Sequence, residues 1–281
     1  MIFRLFTFIV GALLLAGCSL ASGTREVTSS NGERLHIVRY TLKSAAVKRS
    51  FDEYAVLPAH HNVHTPILVL LHGRGSSAAT WTTGEMIDEL GRLGTRAPIV
   101  IAVQSSTMSY WHDRSEGDFD RYVVDEVIPD ARRRFRTDSK RVAIGGHSMG
   151  GFGAFDIALH HRGKFCAVGG HEPAIWQSGG ESAPGAFDNA EDFARNNVIA
   201  MVRARRDPFG GAAVQLDYGH SDPFIPGDKA LIAAIKDSGT KTFHTHVWPG
   251  THGMAYVRRH YGTTMPFYAD ELAHCAAAQP S

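Results

Sequence analysis

The sequence has no marked excess of charge of one sign, little cysteine and no long apolar segment. Lys and Arg number 29 against 28 Asp and Glu, so the formal net charge of the 281 residues is +1. A chain without a broad positive surface is not expected to bind nucleic acid. The 3 cysteines are too few for a disulfide framework. With 15 Phe, 8 Tyr and 4 Trp, the chain has enough apolar area to fold, which excludes intrinsic disorder.

The longest apolar run, residues 5–16, follows Arg4 and contains one threonine. Its 12 positions fall short of the roughly 20 residues that a membrane-spanning helix needs. A short apolar run after a basic residue is typical of a secretion signal. The sequence Leu15-Ala16-Gly17-Cys18 also resembles the lipobox of bacterial lipoproteins, in which the cysteine is lipidated. We therefore predict a lipoprotein signal peptide over residues 1–17 and lipidation of Cys18. An ordinary cleaved signal is the alternative.

The chain after the signal divides into a tether and a single domain. Residues 18–32 lack apolar periodicity and are predicted to be flexible. Residues 33–281 show no internal repeat and are predicted to be one catalytic domain. A lipid on Cys18 would anchor this domain to a membrane of the cell envelope, outside the cytoplasm. A disulfide could form in that compartment. Cys166 and Cys275 each lie in an apolar segment of their own, so two separate buried thiols are favoured over a disulfide.

Hydrophobic patterning predicts the fold class. Two alternating stretches, residues 35–42 and 51–57, indicate an antiparallel hairpin. Apolar runs typical of strands buried on both faces follow, at residues 66–71, 99–103, 142–144, 165–168, 214–216 and 243–247. Segments with helical spacing alternate with them, at residues 83–93, 119–135, 152–161, 226–237 and 254–278. This alternation predicts an α/β fold, with a mostly parallel central sheet and helices on both faces.

A candidate nucleophile follows one of these strands. The loop after residues 142–144 contains Gly146-His147-Ser148-Met149-Gly150, a G-x-S-x-G motif. A strand before the motif and a helix directly after it are the setting of a nucleophile elbow, a tight turn that exposes the serine hydroxyl. Gly146 and Gly150 suit this turn because side chains at those positions would collide. We predict that Ser148 is the nucleophile.

A serine hydroxyl needs a base to take its proton and an acid to orient that base. His252 follows the last apolar strand, at the edge of the sheet where the chemistry of such folds collects. For the acid, Asp222 is preferred because it lies beyond the end of its strand. Asp217 and then Asp207 are the alternatives. The chain order Ser148, Asp222, His252 is that of the α/β-hydrolases.

Other histidine clusters do not make convincing metal sites. His244 and His246 have a spacing that could suit a metal, but the sequence places no third ligand beside them. His60, His61 and His64 precede the first parallel strand, at the wrong edge of the sheet. We predict no metal and no cofactor.

The negative oxygen of a tetrahedral intermediate requires N–H donors. One predicted donor is the backbone N–H of Met149, at the start of the helix after Ser148. The second is predicted in the loop after residues 66–71. We prefer the backbone N–H of Arg74 there, with that of Gly73 as the alternative.

Several motifs together resemble the putative-esterase family of α/β-hydrolases. They are L-H-G at residues 71–73, Y-W-H-D-R at 110–114, Y-V-V-D-E-V-I-P at 122–129, G-H-S-M-G-G-F-G-A at 146–154, and L-D-Y-G at 216–219 with Asp222. The family includes S-formylglutathione hydrolase (esterase D), feruloyl and acetylxylan esterases, enterochelin esterases and mycolyltransferases. The similarity extends over residues 35–275. It implies the α/β-hydrolase fold, with Ser148, Asp222 and His252 as the catalytic triad.

These observations predict a serine carboxylic-ester hydrolase that acts on a small or sugar-linked ester through an acyl-enzyme. Trp111 and Phe224 are the preferred substrate-binding residues, because they are aromatic and adjoin polar residues of the catalytic edge. Two alternatives stay open. One is transfer of the acyl group to a sugar or lipid alcohol, and the other is a non-catalytic lipoprotein of the same fold that binds a ligand.

Overall fold

A computed structural model describes residues 23–275 as one nine-stranded sheet, one two-stranded sheet and the helices that cover them. The strands are β1 (Gly23–Thr28), β2 (Arg34–Lys43), β3 (Ser50–Pro58), β4 (Ile67–Leu71), β5 (Ile99–Val103), β6 (Asp113–Arg114), β7 (Gly117–Asp118), β8 (Val142–His147), β9 (Ala167–His171), β10 (Ala213–Ser221) and β11 (Phe243–Thr251). The large sheet has the order β1-β2-β3-β5-β4-β8-β9-β10-β11, and β6 and β7 form the small sheet.

Strand directions confirm the predicted arrangement. The hairpin of β2 and β3 is antiparallel and adds to the sheet through an antiparallel pairing of β3 with β5. From β5 to β11 every neighbouring pair is parallel. The strands β4, β5, β8 and β9 are buried along their whole length, which agrees with the continuous apolar sequences of β4 and β5 and the apolar starts of β8 and β9. Their carboxyl ends therefore meet at one edge, where the loops after β4, β8, β9, β10 and β11 lie together.

Helices occur in all five predicted segments, two of which are divided, and α5 and α6 are helices that the sequence analysis did not predict. They are α1 (Gly84–Leu93), α2 (Phe119–Arg121), α3 (Ile128–Arg134), α4 (Met149–His160), α5 (Ala190–Arg195), α6 (Val198–Arg203), α7 (Ile225–Asp237), α8 (Met254–Arg259) and α9 (Tyr261–His274). A π-helical segment, Tyr122–Val127, joins α2 to α3. Short 3₁₀ helices occupy Ala78–Trp81, Gly94–Arg96 and Gly179–Glu181. Among residues 23–275, no helix is long and apolar enough to cross a bilayer.

The predicted tether is wrong for its second half. Residues 23–28 form the edge strand β1, which pairs with β2 from Gly23 opposite Arg39 to Thr28 opposite Arg34. The strand is almost entirely exposed, so it needs no apolar alternation and its sequence resembles a flexible segment. The turn after it is fixed to α1, because the Ser30 N–H donates to the Asp88 carboxylate (2.6 Å). The predicted signal peptide and Cys18 lie outside the described residues.

The prediction of two separate thiols is also wrong. Cys166 and Cys275 form a disulfide, with their Cα atoms 5.6 Å apart. Local burial at each cysteine could not reveal this pairing, because it depends on α9 packing back onto the sheet. The packing is close: a Cβ added to Gly145 or Gly169 would lie 2.0 or 1.8 Å from the Tyr268 hydroxyl of α9. The disulfide therefore holds the end of α9 beside the start of β9.

We expect the Cys166→Ala/Cys275→Ala double variant to lower the free energy of unfolding by about 2–5 kcal/mol, the range for a disulfide that closes a long loop. The bond joins residues 109 positions apart, so its loss frees a large part of the unfolded chain. Urea unfolding with and without reductant measures the effect. The reduced wild type should match the variant in its unfolding midpoint. Equal unfolding midpoints for the oxidised and reduced wild type would contradict this prediction.

Candidate active site

The turn between β8 and α4 presents the Ser148 hydroxyl. Ser148 has φ 55° and ψ −114°, a backbone conformation with positive φ that residues other than glycine rarely adopt. A Cβ added to Gly146 would lie 2.4 Å from the carbonyl of Gly150, and one added to Gly150 would lie 2.0 Å from the Leu71 carbonyl oxygen. Only glycine fits at these two positions. The turn therefore has the geometry predicted for a nucleophile elbow.

Ser148, His252 and Asp222 form one hydrogen-bonded chain. The His252 Nε2 lies 2.8 Å from the Ser148 Oγ, and the His252 Nδ1 lies 2.6 Å from Asp222 Oδ2. The other oxygen of Asp222 accepts a bond from the Phe224 N–H (2.7 Å), which fixes the plane of the carboxylate. Three loops, after β8, β10 and β11, supply the three side chains. The structure thus brings together the three residues that the sequence selected.

The alternative acids lie elsewhere. Asp217 is inside β10 and fully buried, and its carboxylate lies 2.6 Å from His171 Nδ1. The other ring nitrogen of His171 lies 2.9 Å from the Tyr268 hydroxyl. Asp217 therefore belongs to a separate buried network beneath the site. The Asp207 carboxylate is close to Arg162 (3.3 Å), in an exposed turn.

Of the two N–H donors predicted for the oxyanion, that of Met149 directly follows Ser148, and that of Arg74 belongs to a loop that packs against Ser148. Met149 is the first residue of α4, so its N–H has no acceptor within the helix. The loop after β4 packs against the nucleophile, since a Cβ on Gly73 would lie 3.4 Å from the Ser148 Cβ. These positions allow the N–H groups of Met149 and Arg74 to serve as donors.

His72 orients this loop, a role that sequence reasoning missed. The ring is fully buried, and burial lowers its pKa to about 4, so it is neutral. Its Nε2 accepts a bond from the Ser105 N–H (3.1 Å), which leaves Nδ1 to donate to the Gly73 carbonyl (2.8 Å). In a trans peptide the N–H points away from the carbonyl. Holding the Gly73 carbonyl against His72 therefore directs the Arg74 N–H to the opposite side.

Trp111 does not line the site, contrary to the prediction. Its side chain is fully buried, and its indole N–H donates to the His72 carbonyl (3.1 Å). A Cβ on Gly153 of α4 would lie 2.4 Å from the Trp111 Cβ. Trp111 therefore packs between α4 and the loop after β4 and supports that loop from behind.

Phe224, the second predicted substrate contact, lies next to the base. Its ring centroid is 5.1 Å from that of His252 and 5.6 Å from that of Trp176. Phe224 lines an open cavity of about 440 Å³ together with the apolar Ile175, Trp176, Ala183, Pro223 and Pro226, with Gly227, and with the polar Gln177 and Glu181. The cavity thus combines apolar walls with two polar side chains, and it adjoins the His252 side of the site.

Glu172 is a further buried residue at this edge that the sequence analysis did not select. It directly follows β9, and its carboxylate accepts a bond from the N–H of Gly253 (2.7 Å). The same oxygen lies 3.4 Å from His147 Nε2 and 4.0 Å from His252 Nδ1. The search of the loops after the apolar strands, which selected Ser148 and His252, would also have found Glu172 if it had covered the loop after residues 165–168.

His147, Glu172 and His252 are the one group in the described part of the chain with the composition and spacing of a metal site. The rings of the two histidines face each other, with centroids 4.9 Å apart and planes inclined by 36°. Both ring nitrogens of His252 are already hydrogen-bonded, Nδ1 to Asp222 and Nε2 to Ser148. A metal ion here would have to break one of these bonds, so we assign none to this group. His244 lies exposed on the edge strand β11, and His246 stacks on Trp248.

Comparisons with known proteins agree with this geometry. The family model described as "Putative esterase" matches residues 44–260. An acetyl esterase of Caldicellulosiruptor saccharolyticus is 32% identical over 105 residues, a match that spans 36% of this chain and 38% of the relative.

Solved structures extend the similarity over most of the fold. A ferulic acid esterase has a TM-score of 0.72 at 20% identity, covering 84% of this chain and 98% of the other. The S-formylglutathione hydrolase of Agrobacterium tumefaciens has a TM-score of 0.68 at 19% identity, covering 88% and 98%. At these identities the likeness concerns the fold. Together with the family match, it shows that the chain belongs to the Putative esterase family and has the α/β-hydrolase fold.

Proposed function

We propose that the protein hydrolyses a small or sugar-linked carboxylic ester through an acyl-enzyme on Ser148. The observation that carries the proposal is the continuous chain from Asp222 through His252 to Ser148, with bonds of 2.6 and 2.8 Å. A serine in such a chain is activated because the imidazole can take its proton as the hydroxyl attacks. The turn at Ser148 also places this residue at the start of α4 and against the loop after β4, the two segments with the proposed N–H donors.

The reaction proceeds in two halves. The Ser148 Oγ attacks the ester carbonyl while His252 Nε2 takes the hydroxyl proton, and Asp222 stabilises the imidazolium. The N–H groups of Met149 and Arg74 bind the negative oxygen of the intermediate. His252 then gives the proton to the leaving alcohol as the C–O bond breaks. In the second half a water molecule gives a proton to His252, attacks the acyl-enzyme and releases the acid, and Ser148 regains its proton.

The cavity beside His252 supports an ester with a small or aromatic acyl group. Its lining by Trp176 and Phe224 suits an apolar group, and its volume of about 440 Å³ is in the range of small-ligand sites. The related proteins are an acetyl esterase, a ferulic acid esterase and an S-formylglutathione hydrolase. A panel of p-nitrophenyl esters from acetate to palmitate, with acetylated and feruloylated sugars, tests this proposal. Short or aromatic acyl groups should be hydrolysed faster than palmitate. No hydrolysis of any member would contradict it.

We further propose that the enzyme is a lipoprotein of the bacterial cell envelope, anchored through Cys18. The lipobox-like Leu15-Ala16-Gly17-Cys18 supports this, and the disulfide between Cys166 and Cys275 is compatible with an oxidising compartment. Cys18→Ser should move the protein from the membrane fraction to the soluble fraction without loss of specific activity. Wild-type protein found soluble, with an unmodified cysteine, would contradict the proposal.

A further inference from the structure

Glu172 connects the loop of the base to the strand beside the nucleophile. It lies directly after β9, is fully buried, and adopts a left-handed backbone conformation with φ 48°. Its own N–H donates to the Asp217 carbonyl (2.7 Å), which fixes its backbone to β10. Its carboxylate then accepts the N–H of Gly253, the residue next to His252. A rigid part of the sheet thereby holds the loop after β11.

We propose that Glu172 is a positioning residue that keeps the His252 imidazole in line with Ser148 by holding the Gly253 N–H. This inference rests on the proposed function. The loop of His252 needs such support because Gly250 and Gly253 both have φ near 155° (156° and 153°), a region that only glycine adopts freely. Without a fixed contact, the loop could rotate at either glycine and move the ring away from Ser148.

The surroundings of Glu172 explain why it does not compete with Asp222 for the base. Burial, with the nearby Asp222 and Asp217 carboxylates, raises the pKa of Glu172 to about 8, although the bond from the Gly253 N–H lowers it. Asp228 is a further buried acid beside this group. Titratable neighbours from the other packed elements are His147, His252 and Tyr256. A neutral Glu172 near pH 7 accepts the Gly253 N–H without adding a second negative charge next to the Asp222 carboxylate. Glutamine has the same shape and the same acceptor as this neutral acid.

Two conservative variants separate position from charge. Glu172→Gln retains the length and the acceptor, so its kcat should stay within about threefold of wild type. Glu172→Asp retains the carboxyl group but is shorter by one C–C bond, about 1.5 Å, and cannot reach Gly253. Since a misplacement of this size can cost on the order of 10²-fold, Glu172→Asp should lower kcat about 10²-fold. KM should be unchanged in both, because Glu172 is not expected to touch substrate.

Asp228→Asn is the matched control. Asp228 is also fully buried among the same acids, but neither of its carboxylate oxygens has a hydrogen-bond partner in the described residues. Its variant should retain wild-type kcat, whatever its unfolding temperature. A drop in kcat in Glu172→Asp that is absent from Asp228→Asn therefore identifies a role of Glu172 beyond stability.

The pH profile gives a second readout. Above pH 8 the ionised Glu172 lies 4.0 Å from His252 Nδ1 and stabilises the imidazolium, so wild-type kcat should rise through an ionisation near pH 8 that Glu172→Gln lacks. Three results would each overturn the proposal: wild-type kcat in Glu172→Asp, an equal loss in Glu172→Gln, or an unchanged profile in Glu172→Gln. Failure of the proposed function itself is separate, since it would appear as activity in Ser148→Ala.

Discussion

We expect Ser148→Ala to lower kcat/KM for ester hydrolysis by about 10⁴- to 10⁶-fold, the usual result of removing a triad nucleophile. The substitution removes one oxygen, the atom that forms the acyl-enzyme in the proposed function. Its Oγ is bonded to His252 and supports no other part of the fold among its described contacts. The unfolding temperature should therefore change little. Steady-state hydrolysis and thermal unfolding of the same preparation measure both effects.

Ser221→Ala provides the control for this experiment. Ser221 is exposed at the end of β10 and lies next to Asp222, so it shares the site's surroundings without belonging to the hydrogen-bonded chain. Its variant should keep wild-type activity. If Ser148→Ala keeps activity within tenfold of the wild type while it remains folded, Ser148 is not the nucleophile.

Asp222→Asn should reduce kcat about 10⁴-fold. The asparagine amide favours the wrong tautomer of His252 and cannot stabilise the positive charge of its imidazolium. The Asp222 carboxylate lies 2.6 Å from His252 Nδ1. In the variant, the amide nitrogen or the amide oxygen of the asparagine would occupy this place. The geometry around the acid should be retained, because asparagine can still accept the Phe224 N–H with its amide oxygen.

Asp217→Asn is the matched comparison and should act on stability. Asp217 is as buried as Asp222, but its partner is His171 (2.6 Å) and not the base. Weakening this buried pair should lower the free energy of unfolding, measured by urea titration, while kcat stays within tenfold of wild type. The reverse ranking of the two variants in kcat would show that Asp217 is the acid.

The parallel sheet and the residues of the site could be predicted because each leaves a local pattern. Continuous apolar runs mark the buried strands, and the loops directly after them contain Ser148, Asp222 and His252. Asp222 could be preferred to Asp217 because it lies beyond the predicted end of the strand. The strand continues past Asp217 to Ser221, which places Asp217 beneath the edge. In each of these cases the relevant signal spans fewer than about ten residues, within the length of one strand and its loop.

The features that sequence reasoning missed depend on distant contacts. The disulfide requires α9 to return to β9, and the strand β1 exists because β2 offers it an edge. Trp111 carries aromatic area that suits a pocket, yet it packs against Gly153 of α4, behind the loop of the oxyanion donors. Only the packed fold shows which side of a loop an aromatic residue occupies.

The most direct test of the central claim is to trap the acyl-enzyme and locate it. The wild type is mixed with p-nitrophenyl acetate, quenched in acid within the first turnover, and digested for peptide mass spectrometry. We predict a burst of one nitrophenol per enzyme and one acetyl group on the Ser148 oxygen. Both should be absent from Ser148→Ala. The acetylated enzyme should accumulate in any His252 variant that slows deacylation. Rapid hydrolysis with no acetylated peptide, or an acetyl group on a different residue that turns over at the rate of catalysis, would contradict an acyl-enzyme on Ser148.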